Sequence, residues 1–240
     1  MFSIFNNKQN GHDLKWLSVD MHSHLLPGIN HESLDLEVAV DYISQLSELG
    51  ITKIYCTSPI LDNKDERVAD KLTPAKEQLE AALEQAGVKM NLVQSAKYLV
   101  DGDFRVTKEL ITLPGNCILL KMSYAEEAPN LKEVILELQK NGYKVVIVNP
   151  ERYLYYHKSA ASYYKLQELG VSFQLNLMSV MGHYGPAVKK MADHLQAMLF
   201  YDLAGTEGHD KRHLDMLLMN MREGDMFNKT RSYSFKNKDL

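Results

Sequence analysis

The chain has 240 residues, 45% hydrophobic and 24% charged, ordinary proportions for a globular protein large enough to hold one α/β domain. A formal net charge of −4 excludes a broad basic surface for nucleic acid. No apolar run approaches the roughly 18 residues that a membrane-spanning helix needs.

Strands are predicted where short apolar or β-branched runs fall, at residues 16–20, 51–57, 89–96, 117–120, 144–148, 172–176 and 197–203. Between them lie amphipathic stretches. Residues 34–49 carry Leu36, Val38, Ala39, Val40, Tyr42, Ile43 and Leu46 at helical spacing, and Gly50 follows as a C-terminal stop. Similar helical patterns run over 74–86, 131–140, 160–169, 186–195 and 210–220. Each strand-like run is followed by a crossover, which argues for parallel strands and a single-domain (β/α)7 barrel over residues 1–221. Residues 222–240, polar and basic with little periodicity, read as a flexible tail. Cys56 and Cys117 sit inside apolar runs and read as reduced core residues. The N-terminal stretch lacks a signal-peptide apolar region, so the cytoplasm is the expected setting.

The chemistry gathers at the predicted strand ends. The first run closes on Asp20-Met21-His22-Ser23-His24-Leu25-Leu26-Pro27-Gly28. Two histidines spaced i, i+2 on a strand point the same way and supply half of a tetrahedral metal shell; the alternative is a hydrogen-bonded pair in a turn. Later strand ends bring Thr57-Ser58-Pro59, Lys97, Lys121, Asn149, Asn176, and Glu207 with His209. In a βα barrel these positions converge on one mouth. Tyr153, Tyr155, Tyr156, Tyr163 and Tyr164 read as a lip for an aromatic ligand or, preferably, as core packing. His183 falls in a loop near the mouth.

Four motifs in order carry a family resemblance: Asp-x-His-x-His-x-Leu-Pro-Gly at 20–28, Asn149-Pro150-Glu151-Arg152-Tyr153, Gln174-x-Asn176-x-x-Ser179, and Gly205-Thr206-Glu207-Gly208-His209 with Arg212-His213. Together with the opening MFSIFNNK they resemble the PHP-type (polymerase and histidinol phosphatase) bacterial protein tyrosine phosphatases of capsule and exopolysaccharide assembly. The likeness spans about nine-tenths of the chain. It implies a distorted (β/α)7 barrel, a manganese cluster at its mouth and hydrolysis of protein phosphotyrosine by a metal-activated water. It also implies His22, His24, Glu207 and His209 as metal ligands and Arg152 and Arg212 as catalytic residues.

Several positions depart from the family pattern. Cys56-Thr57-Ser58-Pro59-Ile60 lacks the family's histidine, and Asn149 and Asn30-His31-Glu32 replace a histidine and an Asp-Asp-Gly. Lys97 and Lys121 stand where the family has glutamates, and Glu207 where it has aspartate. A lysine for a glutamate removes an anionic ligand and adds a cation. At ~5 Å and an effective dielectric of about 20, one ammonium repels a divalent ion by roughly 6–7 kcal/mol. The expectation is therefore no metal, or a single zinc or manganese ion on His22, His24, Glu207 and His209, in place of a cluster. Lys97, Lys121 and Arg152 are expected to bind a phosphate-like anion or a phosphotyrosine protein, making the chain a pseudophosphatase. Three alternatives stand beside this one: an active phosphatase, a single-zinc hydrolase, and internal salt bridges that plug a dead site. Oligomeric state is left open.

Overall fold

The computed structural model describes residues 13–29, 33–60, 66–106 and 110–240; the opening motif and Asn30-His31-Glu32 lie outside them. Seven strands form one parallel sheet in the order β1 to β7: Val19–Ser23, Lys53–Ile60, Asn91–Leu99, Cys117–Lys121, Lys144–Val148, Ser172–Asn176 and Leu203–Gly205. Helices α1 (Leu36–Glu48), α2 (Glu66–Gln85), α3 (Leu131–Lys140), α4 (Ala161–Glu168), α5 (Leu177–Val180), α6 (Pro186–Ala197), α7 (Lys211–Glu223) and α8 (Asp225–Thr230) surround it. This is the expected (β/α)7 barrel.

Alternation along the strands separates two cores. Val19, Met21, Tyr55, Leu119, Val146, Val148 and Leu203 fill the barrel interior. Their strand neighbours Ile54, Ile118, Val145, Ile147 and Phe173 face the helices. Helix α1 buries Ala39, Tyr42, Ile43 and Leu46, the i, i+3, i+4, i+7 stripe read from its spacing.

Several predicted segments shift, β2 and β3 by two to three residues toward the mouth. β1 begins three residues later than read and carries His22 within it. α2 starts at Glu66 and keeps Pro74 in its interior, although proline usually marks a helix start. Residues 197–199 belong to the end of α6 and its turn, where Leu199 takes a positive φ of 58°, so β7 is only Leu203–Gly205.

Residues 222–240, expected to be flexible, fold onto the barrel in the structure. Beyond α7 and α8, the Asn237 side chain enters the seam between β1 and β7. Its amide nitrogen donates to the carbonyls of Val19 (2.7 Å) and Ala204 (2.6 Å), and its oxygen accepts from Ala204 N–H at 2.9 Å. Lys53 Nζ and Tyr55 OH donate to the Leu240 carbonyl at 2.8 and 2.7 Å. Apolar contacts complete the docking: Met226 is buried in the core, and Phe235 and Tyr233 pack against Trp16 and Tyr201, at irregular spacings that give no hydrophobic period. Nearer the mouth the same seam is joined directly: Glu207 N–H donates to His22 O and His24 N–H to Gly208 O, each at 2.7 Å. The Asp20 carboxylate accepts from Thr206 N–H at 3.0 Å and Thr206 Oγ1 at 2.6 Å.

Candidate functional site

An irregularity in β1 builds the site. Asp20 pairs with Ile54 but Ser23 with Cys56, so β1 carries one extra residue. Such a bulge reverses the inward-outward alternation. Met21 can thus fill the barrel interior while its neighbour His22 also reaches the mouth. The close approach of β7 relies on Gly205, where a Cβ would meet His22 Cβ at 2.8 Å and Gln174 Nε2 at 2.9 Å.

Glu207 follows β7 in the left-handed region (φ 51°), as Asn149 does after β5 (φ 52°). Non-glycine residues in this region are uncommon and concentrate at functional sites. The Glu207 carboxylate is buried and is the hub of the mouth. Its Oε1 accepts from Asn149 Nδ2 at 2.7 Å and lies 3.4 Å from both Lys97 Nζ and His22 Nε2. Its Oε2 accepts from Asn176 Nδ2 at 2.6 Å and lies 3.6 Å from an Arg152 terminal nitrogen. Burial opposes ionisation of Glu207; Lys97 and Arg152 overcome it and hold the carboxyl well below its ordinary range.

Both histidine tautomers are set by their outer partners. Gln174 Nε2 donates to the Leu175 carbonyl, turning Gln174 Oε1 to accept from His22 Nδ1 at 2.7 Å. His24 Nδ1 donates to the Thr57 carbonyl at 2.5 Å. Each ring therefore presents an Nε2 lone pair to the mouth, the second-shell arrangement typical of a metal-binding histidine. Burial and then Lys97 keep both neutral: His22 falls to about 4 and His24 well below its usual value. Lys97 Nζ is 3.3 Å from His24 Nε2, and burial lowers its own pKa against the pull of Glu207.

A cavity of about 620 Å³ opens above this centre, lined by His24, Lys97, Lys121, Tyr124, Arg152 and Glu207 among others. The Arg152 guanidinium is sandwiched between the rings of Tyr124 (4.2 Å) and Tyr184 (3.8 Å), and Lys121 Nζ lies 4.7 Å from the Tyr124 ring. Asn176 Nδ2 also donates to Tyr184 OH at 3.1 Å. The aromatic lip is thus Tyr124 and Tyr184. Tyr153, Tyr156 and Tyr163 are buried in the core, in keeping with their packing role. Sequence reading did not single out Tyr124, whose partner Arg152 is 28 residues away.

Two expected site residues lie outside the donor group, although His209 lines the cavity. His209 donates from Nδ1 to the Glu207 carbonyl (2.6 Å), and its Nε2 turns to Asp210 (3.3 Å) instead of the donors. Arg212 is exposed on α7. Asp210 caps that helix through His213 N–H, so His213 falls on the buried face and Arg212 on the solvent side, beside a different groove. Glu151 links two of the motifs from below: its carboxylate accepts from Asn176 N–H (3.1 Å), Ser179 Oγ (2.7 Å) and Tyr201 OH (3.0 Å).

Among the described residues, one group has metal-ligand spacing: His22, His24 and Glu207, whose donor atoms lie within 4.8 Å of one another. These donors would suit one ion in type, but the Lys97 ammonium stands among them. Lys97, Lys121, Asn149 and Asn176 hold the other strand ends, and none of them is a bridging carboxylate. The residues present do not fit a metal cluster.

Strand order, seam and mouth define a PHP-like parallel βα barrel. Residues 18–222 match the family model described as capsular polysaccharide synthesis, CpsB/CapC, and the chain belongs to that family. Tyrosine-protein phosphatase YwqE of Bacillus subtilis (strain 168) is 22% identical over 199 residues, 80% of this chain and 77% of that protein. A solved structure from the study of YwqE and of CpsB from Streptococcus pneumoniae, both metal-dependent tyrosine phosphatases, superposes with a TM-score of 0.72. It is 18% identical and covers 91% of this chain and 94% of its own. A phosphotriesterase homology protein from Escherichia coli, solved with phosphate in its active site, shares the fold at a TM-score of 0.53. It is 10% identical, over 92% of this chain and 94% of its own.

Proposed function

We propose that this chain is a pseudophosphatase of the CpsB/CapC family: its mouth binds a phosphate-bearing anion, with phosphotyrosine the leading candidate, and does not hydrolyse it. One observation carries this reading. An ammonium, Lys97 Nζ, lies 3.3 Å from His24 Nε2 and 3.4 Å from the Glu207 carboxylate, among the donors that would otherwise hold a hydroxide-generating ion.

Binding falls to the cations. The Tyr124–Arg152–Tyr184 stack fixes the plane of the guanidinium, and a planar fork held in place suits bidentate recognition of phosphate. Lys121 and Lys97 add positive charge to the same cavity, set against Glu207 and the rim residue Asp210. The cavity is wide enough for an aryl phosphate, whose ring would meet Tyr124. Both cysteines are free, which supports the cytoplasm as its setting. Among the described residues no helix is long and apolar enough to cross a membrane.

The test combines calorimetry with inorganic phosphate and a phosphotyrosine peptide, elemental analysis, and an aryl-phosphate assay with added manganese. Expected are saturable phosphate binding, about tenfold weaker in Arg152→Ala, no stoichiometric metal and no turnover. Manganese-dependent hydrolysis by the unaltered chain would show an active phosphatase, and one tightly held zinc a single-metal hydrolase. Either result, or absence of phosphate binding, refutes the proposal.

A further inference from the structure

Three electron-pair donors converge below the cavity. His22 Nε2 and His24 Nε2 are both lone-pair acceptors because their Nδ1–H groups are committed to Gln174 and Thr57. The third donor is the Glu207 carboxylate, 3.4 Å from His22 Nε2. Acceptors this close repel one another unless a cation lies among them. Lys97 supplies that cation from the end of β3. It serves the position imperfectly. Its contacts to His24 (3.3 Å) and Glu207 (3.4 Å) exceed the roughly 2.7–2.9 Å of a tight charge-assisted bond. His22 Nε2, fully buried, has no hydrogen-bond partner. Two imidazoles and a carboxylate whose donor atoms lie within 4.8 Å of one another are the residues that would hold a divalent ion here.

We propose that the Lys97 ammonium is a tethered cation filling a latent divalent-metal position, and that a chain without it binds one ion through His22, His24 and Glu207. This rests on the pseudophosphatase reading and sharpens it. The donors and their outer partners Gln174 and Thr57 remain in place, and a single ammonium stands in for the ion. The class of ligand is a borderline transition metal such as zinc or cobalt, given two imidazoles and one carboxylate.

Lys97→Ala and Lys97→Met remove the charge, the second keeping most of the apolar stem. Zinc calorimetry should give one ion per chain in both, bound at least 100-fold more tightly than by the unaltered chain. Cobalt should give the visible absorption of a four-coordinate site, and adding His22→Ala should abolish both signals. A variant that folds only when zinc is supplied also supports the proposal. It is overturned if neither variant gains zinc affinity, if the gain survives His22→Ala, if zinc does not rescue misfolded variants, or if the unaltered chain binds zinc equally well. Failure of these variants with phosphate binding intact would leave the pseudophosphatase reading standing. Manganese-dependent turnover by the unaltered chain would remove that reading independently.

Discussion

Two buried glutamates lie on either side of Asn176, and their surroundings push them in opposite directions. Glu207 has Lys97 and Arg152 beside it and is held ionised. Glu151 receives only neutral donors, so burial prevails over its hydrogen bonds to Ser179, Asn176 and Tyr201 and its pKa rises from 4.5 to about 7. Because the folded value exceeds the unfolded one, Glu151 favours folding most at low pH. That contribution is lost as pH climbs from about 4.5 through about 7, a change worth about 3 kcal/mol. Glutamine at 151 preserves the geometry: its oxygen accepts from Ser179 and Asn176, and its nitrogen donates to Tyr201. Denaturant unfolding of Glu151→Gln and the unaltered chain should therefore diverge between pH 4.5 and 7.5, the variant gaining relative stability as pH rises. Parallel profiles would mean that Glu151 titrates at its ordinary value.

At the scale of elements, the β1–β7 seam decides the geometry of the mouth. Gly205→Ala places a methyl against His22 Cβ and the Gln174 amide, both under 3.0 Å away, with the His22 carbonyl at 3.2 Å. Overpacking of this kind costs about 1–3 kcal/mol. It should also displace the His22 ring, seen as an altered imidazole resonance together with a lower Tm. Stability loss with an unmoved His22 signal would separate the seam from the site. At the opposite end, Asn237→Ala leaves Val19 O and both backbone groups of Ala204 without this side-chain partner. Unsatisfied buried groups cost about 1–3 kcal/mol each, so with three groups affected a loss of at least about 3 kcal/mol is expected in denaturant melts, with faster amide exchange at Ala204. An unchanged midpoint would show that the segment from 225 onward lies on the barrel without closing it.

For the whole molecule, much of the architecture was legible from patterns within single segments. The continuous β-branched run within residues 144–148 and the i, i+3, i+4 stripe after residue 34 depend only on which faces of a strand or helix meet apolar neighbours. The seven-strand barrel followed from them. Less legible were features set by contacts between distant segments. The bulge between Asp20 and Ser23 breaks the alternation of β1, and residues 222–240 dock through scattered contacts such as Met226, Phe235 and Asn237 that follow no period.

The same division holds at the site. Residue type and strand-end position brought His22, His24, Lys97, Lys121, Arg152 and Glu207 to one mouth before any coordinates, and the replacement of carboxylates by lysines set the sign of its charge. Only the tertiary structure could place the Lys97 nitrogen among the donors, stack Arg152 between Tyr124 and Tyr184, and keep His209 and Arg212 out of the donor group. The reason is physical. Charge and hydrophobic period belong to residues and short segments, whereas the aim of a side chain is set by bulges, left-handed turns and partners scores of residues distant.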